Sequence, residues 1–128
     1  MLLLTKASRY AIIDTAAGAD RALTAAAVRA ADICLLPTRP TIPDIEATQP
    51  TLLLVRRSKI PFAFILTQTG PRYEPSDHAA PLSAAGALAL PFIASRNDHQ
   101  NAVAAGLGVT EFAPNGKAAR EIGELWAG

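Results

Sequence analysis

The chain has 128 residues, half of them hydrophobic and 18% charged, with a formal net charge of +1. That length suits one domain with a real core, and the composition excludes a disordered tail and fits a sheet covered by helices. A near-neutral balance gives no whole-chain reason for binding nucleic acid or a membrane surface.

Met1-Leu2-Leu3-Leu4 is too short for a signal core, and no run approaches the roughly 20 apolar residues of a membrane span. Residues 2–8 allow a turn or two of helix. Tyr10 to Asp14 is expected to form the first strand, a short apolar run that stops on an acidic residue and leaves through Thr15-Ala16-Ala17-Gly18. Ligands of open α/β sheets bind outside the carboxyl ends of the strands, which puts Asp14 on the expected functional rim.

Leu23, Ala26, Ala27, Ala30 and Ala31 then recur at helical spacing, with Asp20 as a cap. The second strand, Ile33 to Leu36, stops at Pro37. Its Cys34 is the one cysteine, so no internal disulfide can form. It reads as a small buried hydrophobe, and a reducing cytoplasm is the expected compartment.

Thr41 with Asp44 opens the next helix, along which Ile45, Gln49, Leu52 and Leu53 keep the period while Pro50 kinks or splits it. The third strand is Pro61 to Leu66, leaving through the polar rim loop Thr67-Gln68-Thr69-Gly70-Pro71-Arg72. A loop over Tyr73 to Pro81 leads to a short helix at Leu82 to Ala87 and a fourth strand at Leu88 to Ile93. Ser95 and Asp98 cap a helix ending at Gly106. Val109 to Pro114 reads as extended or irregular. Asn115 caps the last helix, whose inner face is Ala118, Ile122, Leu125 and Trp126. The alternation of strand and helix argues an α/β fold with a parallel sheet.

These pieces, in this order, resemble the ParA/MinD family of partition ATPases, specifically the C-terminal half of such a protein. Tyr10-Ala11-Ile12-Ile13-Asp14-Thr15-Ala16-Ala17 looks like its Walker B strand. Ala31-Asp32-Ile33-Cys34-Leu35-Leu36-Pro37 and Pro40-Thr41-Ile42-Pro43-Asp44 match the next strand and helix entry. Arg96, Gly106 and Pro114-Asn115-Gly116-Lys117-Ala118-Ala119 match the end of the pattern.

The resemblance implies a partial doubly wound parallel sheet of about four strands with helices on both faces, of the P-loop NTPase type, in one domain over residues 1–128. It implies Mg-ATP as the family's cofactor and Asp14 near the magnesium, a hard ion that takes few carboxylates. It places Thr67 where the family has an Asn that reads the adenine edge, and a hydroxyl lacks the amide's paired donor and acceptor. It makes Arg72, Arg96, Lys117 and Arg120 candidates for weak non-specific DNA binding, with Arg56, Arg57 and Lys59 as further basic residues. A homo-oligomer, a ParA-like subunit or an adaptor protein is the implied partner, in plasmid or chromosome segregation.

One part of the family pattern is absent. Nothing in these residues matches the glycine-rich, lysine-bearing phosphate loop, which holds phosphates with backbone N–H groups and an ammonium. The expectation is a ParA-like protein with no ATPase activity alone and no catalytic residue, or else a non-catalytic module docking on a full-length relative. A different small α/β unit, receiver-like or flavodoxin-like, remains the third alternative. Asp77-His78 and Asp98-His99 match no zinc spacing and read as surface pairs, and Ser83 and Ser95 have no hydrolase pattern around them.

Overall fold

The computed structural model describes residues 9–16, 21–74 and 79–128. Two compact units are present, one within Met1–Cys34 and Pro50–Pro61, the other within Leu35–Gln49 and Phe62–Gly128. The expected helix at 2–8, the Gly18 turn, the Asp20 cap and the Asp77-His78 pair lie outside the described residues.

In the first unit, the expected strand from Tyr10 to Asp14 is corrected. Residues 9–16 form no strand, and Tyr10, Ile12 and Ile13 are 70, 73 and 46% exposed. An apolar run becomes a strand only when a neighbour takes its backbone bonds and covers its faces, and this run lies in no sheet. Helix α1 (Arg21–Ala30) forms as expected but buries a different face. Val28 is its one buried residue, while Leu23 is 67% exposed. Alanine on every side gave the pattern no phase, and the single bulky β-branched residue set it.

Helix α3 (Gln49–Ser58) lies almost wholly in this unit and buries Leu52 and Val55. It ends on Lys59, held left-handed at φ +56, with the Lys59 N–H donating to the Arg56 carbonyl.

In the second unit, β1 (Cys34–Thr38, its first residue shared with the other unit) runs through Pro37 rather than stopping there. The strand order β1-β2-β3 puts β1 at an edge, where a proline without an N–H is tolerated. Thr41 caps α2 (Ile42–Ala47), accepting from the Asp44 N–H at 3.4 Å, and the chain breaks between α2 and α3 as Pro50 requires.

The second strand, β2 (Phe62–Thr69), is longer than expected and absorbs Thr67-Gln68-Thr69, read from sequence as loop. Phe64, Ile65 and Leu66 are buried along it. After α4 (Ala80–Ala85) the expected fourth strand appears as two short pieces, β3 (Ala87–Leu88) and β4 (Ile93–Ala94), both parallel to β2. The sheet is therefore parallel where these strands meet, and the fold is α/β.

Three helices complete this unit. Helix α5 (Asn97–Ala104) starts from Arg96, not Ser95, as its N-cap, and Gly106 follows it at φ +69, as a C′ glycine should. Residues 109–112 form helix α6 (Val109–Phe112) instead of an irregular stretch, with the Gly108 N–H donating to the Glu111 carboxylate at 3.4 Å. Helix α7 (Lys117–Ala127) starts from Gly116 rather than Asn115. Its buried residues are Ala118 and Ala119, whereas Trp126 is 68% exposed. Ala102, Val109 and Ala118 form a buried cluster with Ile122 against it, joining α5, α6 and α7.

Candidate functional site

Two register changes shape the carboxyl end of β2. Ala63 pairs with Ala87 and Phe64 with Leu88, then Thr67 pairs with Ile93 and Thr69 with Ala94. Between Phe64 and Thr67 the partner chain runs ahead through residues 89–92. Between Thr67 and Thr69 the imbalance reverses, and Gln68 is the extra residue on β2. Gln68 is also left-handed, at φ +54. Such bulges are rare in parallel pairs and redirect the side chain they carry.

The result is a half-open cleft of about 330 Å³, lined by Thr67, Gln68, Ile93, Ala94, Ser95, Arg96, His99 and Gln100. It lies at the carboxyl ends of β2 and β4, where α5 begins, the usual place for a ligand in an open parallel sheet. Its volume is at the lower limit of the roughly 300–1,000 Å³ of small-molecule sites. Ile93 and Ala94 give it an apolar portion, while two hydroxyls, two carboxamides, an imidazole and a guanidinium supply polar groups. Nε2 of His99 is shielded from solvent and has no hydrogen-bond partner among the described residues. His99 is thus half-buried beside a cleft rather than the surface residue expected.

The guanidinium is held in place by a residue that the sequence reading did not single out. Glu121 of α7 accepts at Oε1 from Nε of Arg96 (3.1 Å) and from its Nη2, and at Oε2 from the Ala94 N–H (3.2 Å). The Glu121 hydrogen bonds raise the Arg96 pKa still further above its ordinary value. Both carboxylate oxygens are engaged, so one side chain pins the end of β4 and the N-cap of α5 to α7. No local pattern signals a pair 25 residues apart; only the parallel sheet and the α5–α6–α7 corner bring it together.

The candidate residues are therefore distributed as follows. Thr67 and Arg96 meet in the cleft, with Ser95 between Arg96 and β4. Arg72 lies in the turn after β2 and is not among the cleft-lining residues. Lys117 and Arg120 are exposed in the first turns of α7, one helical step apart. Asp14 belongs to the first unit and is exposed. Among the described residues no group of three or more His, Cys, Asp or Glu side chains is placed to hold a metal ion, and no helix is long and apolar enough to cross a membrane.

A second ion pair stands on the loop that follows β1. Arg39 Nε lies 2.8 Å from Asp44 Oδ2, and its Nη2 donates to Oδ1 at 3.2 Å. The Arg39 hydrogen bond, then that from Thr41, hold the Asp44 carboxyl below its usual range. Cys34 is half-buried rather than the buried residue expected, and that partial burial raises its thiol above its ordinary value, which disfavours the reactive thiolate.

No protein-family model and no curated protein matches this chain.

Proposed function

We propose that this chain is a ParA/MinD-like partition module with no ATPase activity of its own, and that its cleft is the nucleoside end of an adenine-nucleotide site. The observation that carries the reading is the cleft at the carboxyl ends of two parallel strands with Thr67 in its wall, at the position where the sequence resemblance calls for the adenine-reading residue. The cleft's size suits a base with its sugar better than a whole nucleotide. The reading assigns no phosphate grip, because these residues contain no glycine–lysine loop. It assigns Asp14 no step, since a Walker B carboxylate serves magnesium only where phosphates are held. Arg72, Lys117 and Arg120 are the basic residues the reading offers to DNA, because Arg96 is already paired with Glu121.

The test is calorimetric titration of the chain with adenosine, Mg-ADP and Mg-ATP, alongside an ATP hydrolysis assay. Similar affinity for all three, without hydrolysis, is the result expected of a site that holds base but not phosphate. No heat with any of them would sink the nucleoside reading.

One observation favours a second reading, a non-catalytic module that docks on a full-length ParA-like subunit or adaptor. Among the described residues β1 is the end strand of its sheet and Leu35 on it is 51% exposed, and strand edges recruit partners. Under that reading, a charge placed at Leu35 abolishes capture of a full-length relative while nucleoside binding is unaffected.

A further inference from the structure

We infer that Gln68 is the residue that reads the ligand's hydrogen-bonding edge in the cleft, supplying the paired donor and acceptor that Thr67 lacks; the inference rests on the nucleoside reading above.

Backbone conformation gives the first argument. A left-handed φ crowds the Cβ of any other residue, and glycine adopts it freely. Gln68 holds φ +54 at a bulge on the central strand. The fold alone would be served better by glycine, so the glutamine side chain calls for a reason outside the fold. Strained residues of this kind concentrate at ligand sites.

Placement gives the second. The bulge makes Gln68 the extra residue of β2 between the paired Thr67 and Thr69, and Gln68 is among the residues that line the cleft. Gln68 is exposed, and its carboxamide has no hydrogen-bond partner among the described residues. Both of its functions are therefore open to a ligand.

Chemistry gives the third. A carboxamide presents an N–H donor beside a carbonyl acceptor and can pair with an adenine edge through two parallel hydrogen bonds. The neighbouring Thr67 hydroxyl has one donor hydrogen and cannot make that pair. One residue further along β2, the bulge restores the amide that the strand position itself does not provide.

The experiment compares adenosine with purine riboside, the same nucleoside without the exocyclic amine, on the whole chain and on Gln68→Gly and Gln68→Asn. The wild-type chain should prefer adenosine by about tenfold, the discrimination of one bidentate amide–adenine pair. Gln68→Gly should erase that preference, weaken adenosine by the same factor, and raise the melting temperature by relieving the left-handed residue. Gln68→Asn, which tolerates this conformation, should keep part of the preference.

Three outcomes overturn the inference. If Gln68→Gly binds adenosine as the wild type does, or keeps the preference, Gln68 does not read the ligand and the nucleoside site stands without it. If Gln68→Gly melts at lower temperature, the residue serves the fold. If the wild-type chain binds neither nucleoside, the nucleoside reading falls and the inference falls with it.

Discussion

At its amino end β2 carries Phe62 and Phe64, whose rings meet edge to face at 5.9 Å, and it pairs with β3 in unbroken register. At its carboxyl end the same strand carries Thr67, Gln68 and Thr69, meets β4 through a bulge, and borders the cleft. The first end is held by apolar contact. The second is surrounded by hydrogen bonds and charge: Glu121 on the Ala94 N–H and Arg96, and a left-handed residue that apolar packing does not explain. A strand can therefore be regular where it is packed and irregular where it borders a polar cleft, because hydrophobic burial secures the rest of its length. Damage to the two ends should accordingly be distinguishable.

The largest effect should come from Phe64→Ala. Phe64 is fully buried, and removing its ring should cost about 4 kcal/mol through lost transfer energy and the cavity left behind. Urea unfolding measures it. A cost below about 1 kcal/mol would mean that the amino end of β2 does not anchor the sheet.

Gly86→Ala tests the same end by overpacking. A Cβ there would stand 2.6 Å from Cε2 of Phe62 and 3.4 Å from Cε2 of Phe64. The Phe62 ring is half-buried and can swing away, so the expected cost is about 1–2 kcal/mol with loss of the edge-to-face pair. Nucleoside affinity should be unchanged, because the cleft-lining residues are all from Thr67 onward. A binding defect in Gly86→Ala with normal stability would break the separation between the two ends.

Glu121→Gln tests the other end. The amide keeps an acceptor for the Ala94 N–H but loses the charge that holds Arg96. About 1–2 kcal/mol is expected, the range for a charge-assisted hydrogen bond in a partly shielded site. Arg96 should then gain mobility beside the cleft, visible as exchange broadening of its side-chain Nε–H resonance. Unchanged broadening together with unchanged stability would show that the clip holds nothing.

How much of this was legible from sequence follows the same division. Thr41 with Asp44, Pro50 between two helices and Gly106 after α5 were readable because each acts within one turn of chain, where capping and proline chemistry decide the backbone. The buried run Phe64-Ile65-Leu66 was readable because continuous apolar residues mark a central parallel strand.

Tyr10 to Asp14 had the same appearance and forms no strand, since its pattern says nothing about whether a neighbour exists. Trp126 was assigned inward by periodicity, yet small Ala119 takes that role, because close approach of α7 selects for volume. Of the residues at the cleft, Thr67 and Arg96 stand at positions that motif order picks out. Gln68 and Glu121 do not: one depends on a bulge that exists only once β2 is paired with β4, the other on a contact across 25 residues.

The smallest effect concerns Asp44, on the loop after β1. Hydrogen bonds from Arg39 first and Thr41 second lower its folded pKa below the unfolded value. A depressed carboxylate contributes stability that is fully present above the unfolded pKa, about 3.9, and is lost as pH falls through the folded value. Above about pH 5 the contribution should therefore be constant, and acid should remove it only below about pH 4. The pair is exposed, so the effect on global stability is small and screened by salt. Carbon-detected NMR titration of the Asp44 carboxyl is the sensitive measurement. Its inflection should move upward in Arg39→Met, and by less in Thr41→Val. Phe64 resonances should not follow that titration, since the amino end of β2 relies on no charge. If they do, the polar rim and the packed end form one cooperative unit, and the contrast between them is one of composition and not of stability.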